Sequence, residues 1–372
     1  MKKNAILIVL VSISMACTKE SKKEPLLIPG AYVSTSYNDN IVVEADIRRQ
    51  MSGLTAYMKK GEKIENKLLV DSLNYYFSRN GNPSLASITQ PYYSSRITNS
   101  WFPVMADCSQ NAFDVYEAAT ANNGGVFGAR LLDKRAKETL QEIEKGLFEA
   151  ALYNHFLSLS ENITDVSVVD KMLCIYGAHP NFPNTNTAAN TPTPDAFIAL
   201  YAARRDDGTG NGIYTQIKQQ FLTLQAAVNG GDAYNEEKEA AITELRILIE
   251  KAIMATVIHY GYAGTTKLTT AEAPETTISG GLHDFAEAVG FMHGFKSIPT
   301  ADRIISDAQI DEVLSLLLAP ADSEASMYRF VTDGVNTLTN INEYQEILQD
   351  IYSFSEAEME SFKQNWITIQ GR

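Results

Sequence analysis

Cysteine, tryptophan and histidine are scarce: the 372 residues hold 3 Cys, 2 Trp and 5 His. No Cys-x-x-Cys occurs, which excludes the usual thiolate knuckle for structural zinc. No His-Glu-x-x-His, His-x-x-Glu-His or Gly-x-Ser-x-Gly is present, so the common zinc-peptidase and serine-hydrolase signatures are missing. No uninterrupted apolar run reaches about 18 residues, so no transmembrane helix is expected. Basic blocks are absent as well. Lys and Arg number 31 against 45 Asp and Glu, and removal of Lys2 and Lys3 with a leader leaves 29 against 45, a net charge of −16. Such a chain repels phosphate backbones, and nucleic acid is excluded as a partner. Sustained apolar–polar alternation is also missing, which argues against a sheet protein.

The N-terminus reads as a processing signal. Lys2 and Lys3 precede the apolar run Ala5 to Val11, too short to cross a bilayer. Ser14-Met15-Ala16-Cys17 then places small residues before a cysteine, which resembles a bacterial lipobox with Ser14 where an aliphatic residue is usual. Residues 1–16 are read as a lipoprotein signal peptide, Cys17 as the lipidated first residue, and 17–40 as a tether. Its first part, Thr18 to Glu24, is charged and expected in solvent. An ordinary signal peptide cleaved near Ala16 is the alternative. The expected partner is a membrane, reached through acyl chains at Cys17, and the expected location is the cell envelope, at the outer membrane.

Helical periodicity dominates the rest of the chain. Val43, Ile47, Met51, Leu54 and Met58 share one face. Ile64 to Arg79 repeats the pattern. Asn82 to Pro103 reads as irregular and aromatic-rich, with Tyr92, Tyr93, Trp101 and Phe102 covering a core or lining a pocket. A short helix is expected over Phe113 to Ala119 and a long one over Asp133 to Ser158. On the latter, Glu142 and Glu149 lie on similar azimuths and read as solvated, with a polar seam as the alternative, and His155 lies near the C-terminal end, where a cation suits the helix dipole. Further helices are expected over Val166 to Tyr176, Asp195 to Arg205, Ile213 to Val228 and Asn235 to Tyr260. Ser306-Asp-Ala-Gln309 and Ser355-Glu-Ala-Glu358 fit capping boxes, which start two more. The remaining cysteines, Cys108 and Cys174, fit either a disulfide outside the cytoplasm or two buried thiols.

The sharpest change in composition is Ala178 to Asp195, rich in Pro, Asn and Thr. It suggests two helical bundles, 41–178 and 195–372, joined by a linker at 179–194. A long crossing loop within one domain is the alternative. A long helix followed by a shorter apolar one occurs twice, at Ile143 to Gly177 and at Ile242 to Gly294. That hints at a degenerate internal duplication. The fold class expected is all-α.

The candidate site is Ser279-Gly-Gly-Leu-His-Asp-Phe-Ala-Glu-Ala-Val-Gly-Phe-Met-His-Gly294. His283 and Glu287 are four apart, so on a helix they share a face and can hold a metal or polar ligand. Chance alone supplies roughly one such pair in this chain, and an ordinary helix-surface pair is the competing reading. A metal needs further ligands. His259, in Val-Ile-His-Tyr at the end of the preceding helix, is the second-tier candidate, and Asp284 points about 100° away. No catalytic residue is identified.

Arg130-Leu-Leu-Asp-Lys, Ile143-Glu-Lys-Gly-Leu-Phe148, Ile249-Glu-Lys, Val257-Ile-His-Tyr260 and Gly281-Leu-His-Asp-Phe-Ala-Glu287 together resemble the imelysin-like superfamily. The resemblance points to a lipoprotein branch known only as a domain of unknown function, and spans Asn40 to the C-terminus. It implies two helical bundles with a site where they meet, a role in iron acquisition, and iron or another divalent metal as cofactor. Imelysins carry Gly-x-His-x-x-Glu. Here one extra residue separates His283 from Glu287, and the first-half counterpart Ser167 to Lys171 lacks both. The leading expectation is a lipoprotein that binds iron or an iron complex during uptake. The alternatives are a non-catalytic glycan- or protein-binding lipoprotein using the aromatic stretch Tyr92 to Phe102, and, third, a metallopeptidase.

Overall fold

The computed structural model describes residues 23–187 and 189–372, so the leader and the lipidation candidate Cys17 lie outside the described residues. Helices dominate, as the periodicity requires. The strands among the described residues are a two-stranded antiparallel hairpin, β1 (Gly125–Phe127) and β2 (Arg130–Leu132). No helix among the described residues is long and apolar enough to cross a membrane.

Ten helices carry the architecture. They are α1 (Val42–Met58), α2 (Thr139–Leu147), α3 (Val166–Tyr176), α4 (Phe197–Arg205), α5 (Ile213–Gly230), α6 (Asn235–Leu268), α7 (Glu275–Lys296), α8 (Asp307–Leu316), α9 (Thr339–Tyr352) and α10 (Glu356–Phe362). The spine is α6, whose 34 residues span roughly 50 Å at the usual helical rise. It packs against α4, α5, α7 and α9. The central helix is α7. From Leu282 to Phe295 nearly every residue is buried, including Phe285, Phe291 and Phe295. A helix apolar on all sides belongs inside a protein, and α7 lies between α6 and α2.

Glycines let these helices approach closely. A Cβ on Gly290 would lie 2.5 Å from the Gln141 carbonyl oxygen, and one on Gly294 would lie 2.7 Å from that of Gly146. His283 meets Glu138 while Gly294 meets Glu149, so the contacts advance together along both chains and α2 and α7 run parallel. Beyond Leu147 the helix continues through wider π turns at Phe148–Tyr153 and closes as Asn154–Ser160. The corresponding part of the second suggested repeat, α6, is unbroken.

Several expectations change. The segment 179–194 does not divide the core. Buried apolar side chains from 41–178 and from 195–372 form one contiguous cluster, and Phe182, inside the expected linker, belongs to it. The loop is tied down because Asp195 accepts hydrogen bonds from the Tyr214 hydroxyl at 2.9 Å and the Thr185 amide at 3.0 Å. The expected tether is docked toward its end. Buried Asp170 accepts hydrogen bonds from Tyr32, Ser34 and Asn40, at 2.7 to 2.8 Å.

Asn82 to Pro103 is largely helical, as Leu85–Ile88, Pro91–Arg96, Ile97–Trp101 and Phe102–Cys108. Pro91 falls in the first turn, where the missing amide costs nothing, and Pro103 follows directly on the wider π turn Ile97–Trp101. Ile64 to Leu69 is not helical, and helix begins at Val70. Phe113 to Ala119 holds one 3₁₀ turn, Val115–Glu117. Glu142 and Glu149 are buried rather than solvated, because α7 covers that face. Both capping boxes form as the spacing predicts. Cys108 and Cys174 are free buried thiols.

Candidate functional site

Four helices, α2, α4, α6 and α7, surround a cavity of about 540 Å³. Its walls carry His283, Glu287 and Asp284 from α7, His259 and Tyr260 from α6, Gln141, Glu144 and Lys145 from α2, and Tyr201, Arg204 and Arg205 from α4. Lys59, Arg130 and Lys267 complete the charged lining. All three residues named from the sequence, His283, Glu287 and His259, therefore reach one cavity.

The pair on α7 forms as the four-residue spacing predicts, with His283 Nε2 and Glu287 Oε1 3.7 Å apart. Each already has another partner. His283 Nδ1 lies 2.7 Å from Glu138 Oε2, a fully buried carboxylate. Burial opposes charge on His283, but Glu138 and then Glu287 raise its pKa above the ordinary imidazole value. Glu287 Oε1 lies 3.0 Å from Lys145 Nζ, and both side chains are buried. Burial pushes that carboxyl up, yet Lys145, His283 and the Tyr260 hydroxyl together hold it down to about 2. Lys145 also pairs with Glu144 at 2.9 Å. The Gln141 amide nitrogen, oriented to satisfy both carboxylates, donates to Glu287 at 3.2 Å and Glu144 at 3.3 Å. Asp284 pairs with Lys267 at 2.5 Å; burial raises its carboxyl to about 6 despite that partner.

This donor set does not suit a bare divalent ion. A metal-ligating imidazole must be neutral, whereas the environment of His283 favours its cation. The Glu287 carboxylate is neutralised by Lys145. Among the described residues no group of three or more His, Cys, Asp or Glu is disposed to hold a metal.

The cavity instead carries unmatched positive charge. Six cationic side chains line it, against the three carboxylates of Glu144, Asp284 and Glu287, and one of the six, Arg130, is matched by Glu62 at 3.2 Å and Glu138 at 3.9 Å. Those three are paired to Lys145 or Lys267. Arg204 and Arg205 form no salt bridge with any described residue, and the Nε of each is buried without a hydrogen-bond partner. Arg205 is 3% exposed; its one hydrogen bond runs from Nη1 to the Phe362 carbonyl at 2.7 Å. Burial drags its pKa down to about 9. Arg204 lies over the Tyr201 ring, 4.9 Å from its centroid. Arg204 is only partly buried, and although burial lowers its pKa, Tyr201, Tyr260 and Glu287 raise it overall. A buried cation without a counter-ion, such as Arg205, is costly, and a cavity wall is where a ligand supplies the missing charge.

Sequence reasoning missed Lys145 and the two arginines as site residues. Arg204 and Arg205 end α4, where cations are ordinary dipole partners. The adjacent Arg-Arg after Tyr201 was the available signal. It also missed the second histidine on α7, buried His293, which meets Glu142 at 2.9 Å and the Tyr92 hydroxyl at 3.1 Å. Tyr93, Trp101 and Phe102 are buried, so the aromatic stretch covers core and offers no broad platform. No family model, curated protein or solved structure matches the chain.

Proposed function

We propose that this chain is a non-enzymatic, imelysin-like cell-envelope lipoprotein, held at the outer membrane through Cys17, that captures a small anionic ligand in the basic cavity. The observation that carries the reading is Arg204 and Arg205: consecutive arginines on the cavity wall, neither in a salt bridge with a described residue, while the carboxylates of the lining are engaged by Lys145 and Lys267. Guanidinium forks match carboxylate and phosphate oxygens, and partial burial strengthens the attraction. Where the imelysin-like resemblance suggests iron as cargo, this charge pattern supports an anionic iron complex and opposes a naked ion bound by His283 and Glu287. Those two residues then orient Lys145 and Glu138 rather than ligate. The acidic surface of the protein, with its net charge of −14, confines the attraction for anions to the cavity.

The test is calorimetric titration of the mature protein with citrate, inorganic phosphate, ferric citrate and Fe²⁺ alone. The expected result is binding of at least one anion, weakened about tenfold or more by Arg204→Met and by Arg205→Met. Failure of every anion to bind, with Fe²⁺ binding lost in His283→Ala and Glu287→Ala, overturns the proposal in favour of a metal site.

A further inference from the structure

This inference rests on the anion reading above and narrows the ligand. We propose that the captured anion also carries a hydroxyl, and that this hydroxyl donates a hydrogen bond to Nε2 of His259. The argument starts from the opposite nitrogen. His259 Nδ1 lies 2.8 Å from the carbonyl oxygen of Phe362. A carbonyl only accepts, so the proton sits on Nδ1 and the ring presents a bare lone pair at Nε2. Phe362 ends α10, and the same carbonyl accepts from Arg205 Nη1. One backbone oxygen therefore holds both the ring and the guanidinium in place.

The ring stays neutral because burial and the two arginines beside it press its pKa down to about 3. Nε2 has no partner among the described residues.

This lone pair is unlike the charged side chains of the lining, although the Tyr201, Thr256 and Tyr260 hydroxyls and the Gln141 and Asn365 amides also carry oxygens. The six cationic side chains only donate. The Glu144, Asp284 and Glu287 carboxylates accept, but Lys145, Gln141 and Lys267 already engage them. His259 Nε2 is left as an acceptor without a donor, next to arginines without an anion. A ligand made only of carboxylate oxygens satisfies the arginines and sets its lone pairs against the imidazole lone pair. A ligand with a hydroxyl near its anionic group satisfies both. A site built to receive a hydroxyl rejects the analogue lacking it, because the ligand then shields the acceptor from water without giving it a partner. Hydroxycarboxylates and phosphate monoesters of polyols share this chemistry.

Matched pairs separate the possibilities. The mature protein is titrated with citrate against tricarballylate, and with glycerol 3-phosphate against n-propyl phosphate. The two pairs tell a carboxylate source from a phosphate source. The hydroxylated member of at least one pair is expected to bind about tenfold or more tightly. In His259→Phe that ratio is expected to fall below about threefold, since the ring remains and the acceptor is gone. Because Phe loses the anchor to Phe362, the wild-type protein supplies an independent readout. The ¹⁵N resonance of the bare His259 nitrogen should shift toward hydrogen-bonded values with the hydroxylated ligand and stay put with its analogue. Equal binding of both members of each pair, or no shift, overturns this inference and leaves the anion reading standing. Binding of neither member of either pair overturns both.

Discussion

The parallel crossing of α2 and α7 can be tested with two alanines of opposite expected sign. Gly280 and Gly290 both lie inside α7. Replacing a helical glycine by alanine stabilises by about 0.5–1 kcal/mol when the methyl has room, because the unfolded chain loses freedom. At Gly280 it has room: the nearest atom is Lys267 Cδ at 3.5 Å, an ordinary contact with a flexible side chain. At Gly290 the methyl would lie 2.5 Å from the Gln141 carbonyl oxygen and 2.8 Å from Lys145 Cβ. The oxygen is helix backbone and cannot swing aside, so α2 and α7 must separate by several tenths of an ångström. Overpacking of this kind costs about 1–3 kcal/mol, and subtracting the helix gain leaves a loss of roughly 0.5–2 kcal/mol. Gly290→Ala should therefore lower the urea midpoint while Gly280→Ala raises it. Since Lys145 rides on α2, Gly290→Ala should also weaken anion binding and Gly280→Ala should not. A neutral or stabilising Gly290→Ala would refute the close crossing on which the site geometry depends.

Lys145→Met should cost about 3–5 kcal/mol in urea unfolding, because it leaves the buried Glu287 and the partly buried Glu144 without their shared cation; a loss under about 1 kcal/mol would refute the pairing. Glu149 is fully buried with neither carboxylate oxygen hydrogen-bonded, and burial lifts its pKa well above 4.5. A carboxyl so raised favours the neutral form in the fold, so stability falls as pH climbs above the unfolded value, by up to about 1.4 kcal/mol per pH unit. Glu149→Gln should remove that slope, its advantage over wild type growing from pH 5 to pH 8; a constant difference would sink the assignment. His259 has the opposite dependence: its pKa is pushed from 6.5 to about 3, so stability present above 6.5 drains away as pH falls toward 3. Between pH 7.5 and 5.5 the loss is about 1.3 kcal/mol by linkage, and His259→Phe should lack it in a paired urea titration.

The helices were legible where one face repeats over several turns. Val166–Tyr176 emerges as its apolar spacing predicts, with Asp165 capping its start and left-handed Gly177 its end. The capping boxes at Ser306 and Ser355 were legible because the signal is local. Asn82 to Pro103 misread because Leu85–Ile88 is a single turn, and the run from Pro91 to Cys108 is widened by the π turn Ile97–Trp101, which shifts the spacing of its buried residues off a regular helical period. The Pro-rich stretch 179–194 looked like a boundary because composition reports turn chemistry, while Phe182 and the Asp195 hydrogen bonds that keep it on the core are long-range. Spacing found His283 and Glu287, yet their character comes from Glu138 and Lys145, remote in sequence and brought in by the glycine crossing. One element alone could not say whether a His–Glu pair faces a metal, a lysine or water.

If the cavity exists for a ligand, its arginines should burden the empty protein. Arg205 is 3% exposed, and burial lowers its pKa to about 9 without any carboxylate to offset the cost. An unpaired buried charge destabilises by a few kcal/mol, less whatever hydration the cavity allows. Arg205→Met keeps much of the buried stem and removes the charge; Phe362 still receives the His259 proton. The substitution should raise the stability of the ligand-free protein by about 1–3 kcal/mol. Ligand should act in the opposite sense: an anion at about 100 times its wild-type Kd stabilises the wild type by about 2.7 kcal/mol and, at about tenfold weaker binding, the variant by only about 1.4 kcal/mol. Thermal melts of both proteins with and without the best-binding anion measure the two effects together. A structural arginine would give the reverse pattern, with the variant less stable and both proteins indifferent to anions. A variant that is more stable when empty yet responds less to ligand is the signature of a side chain kept for binding at the expense of the fold.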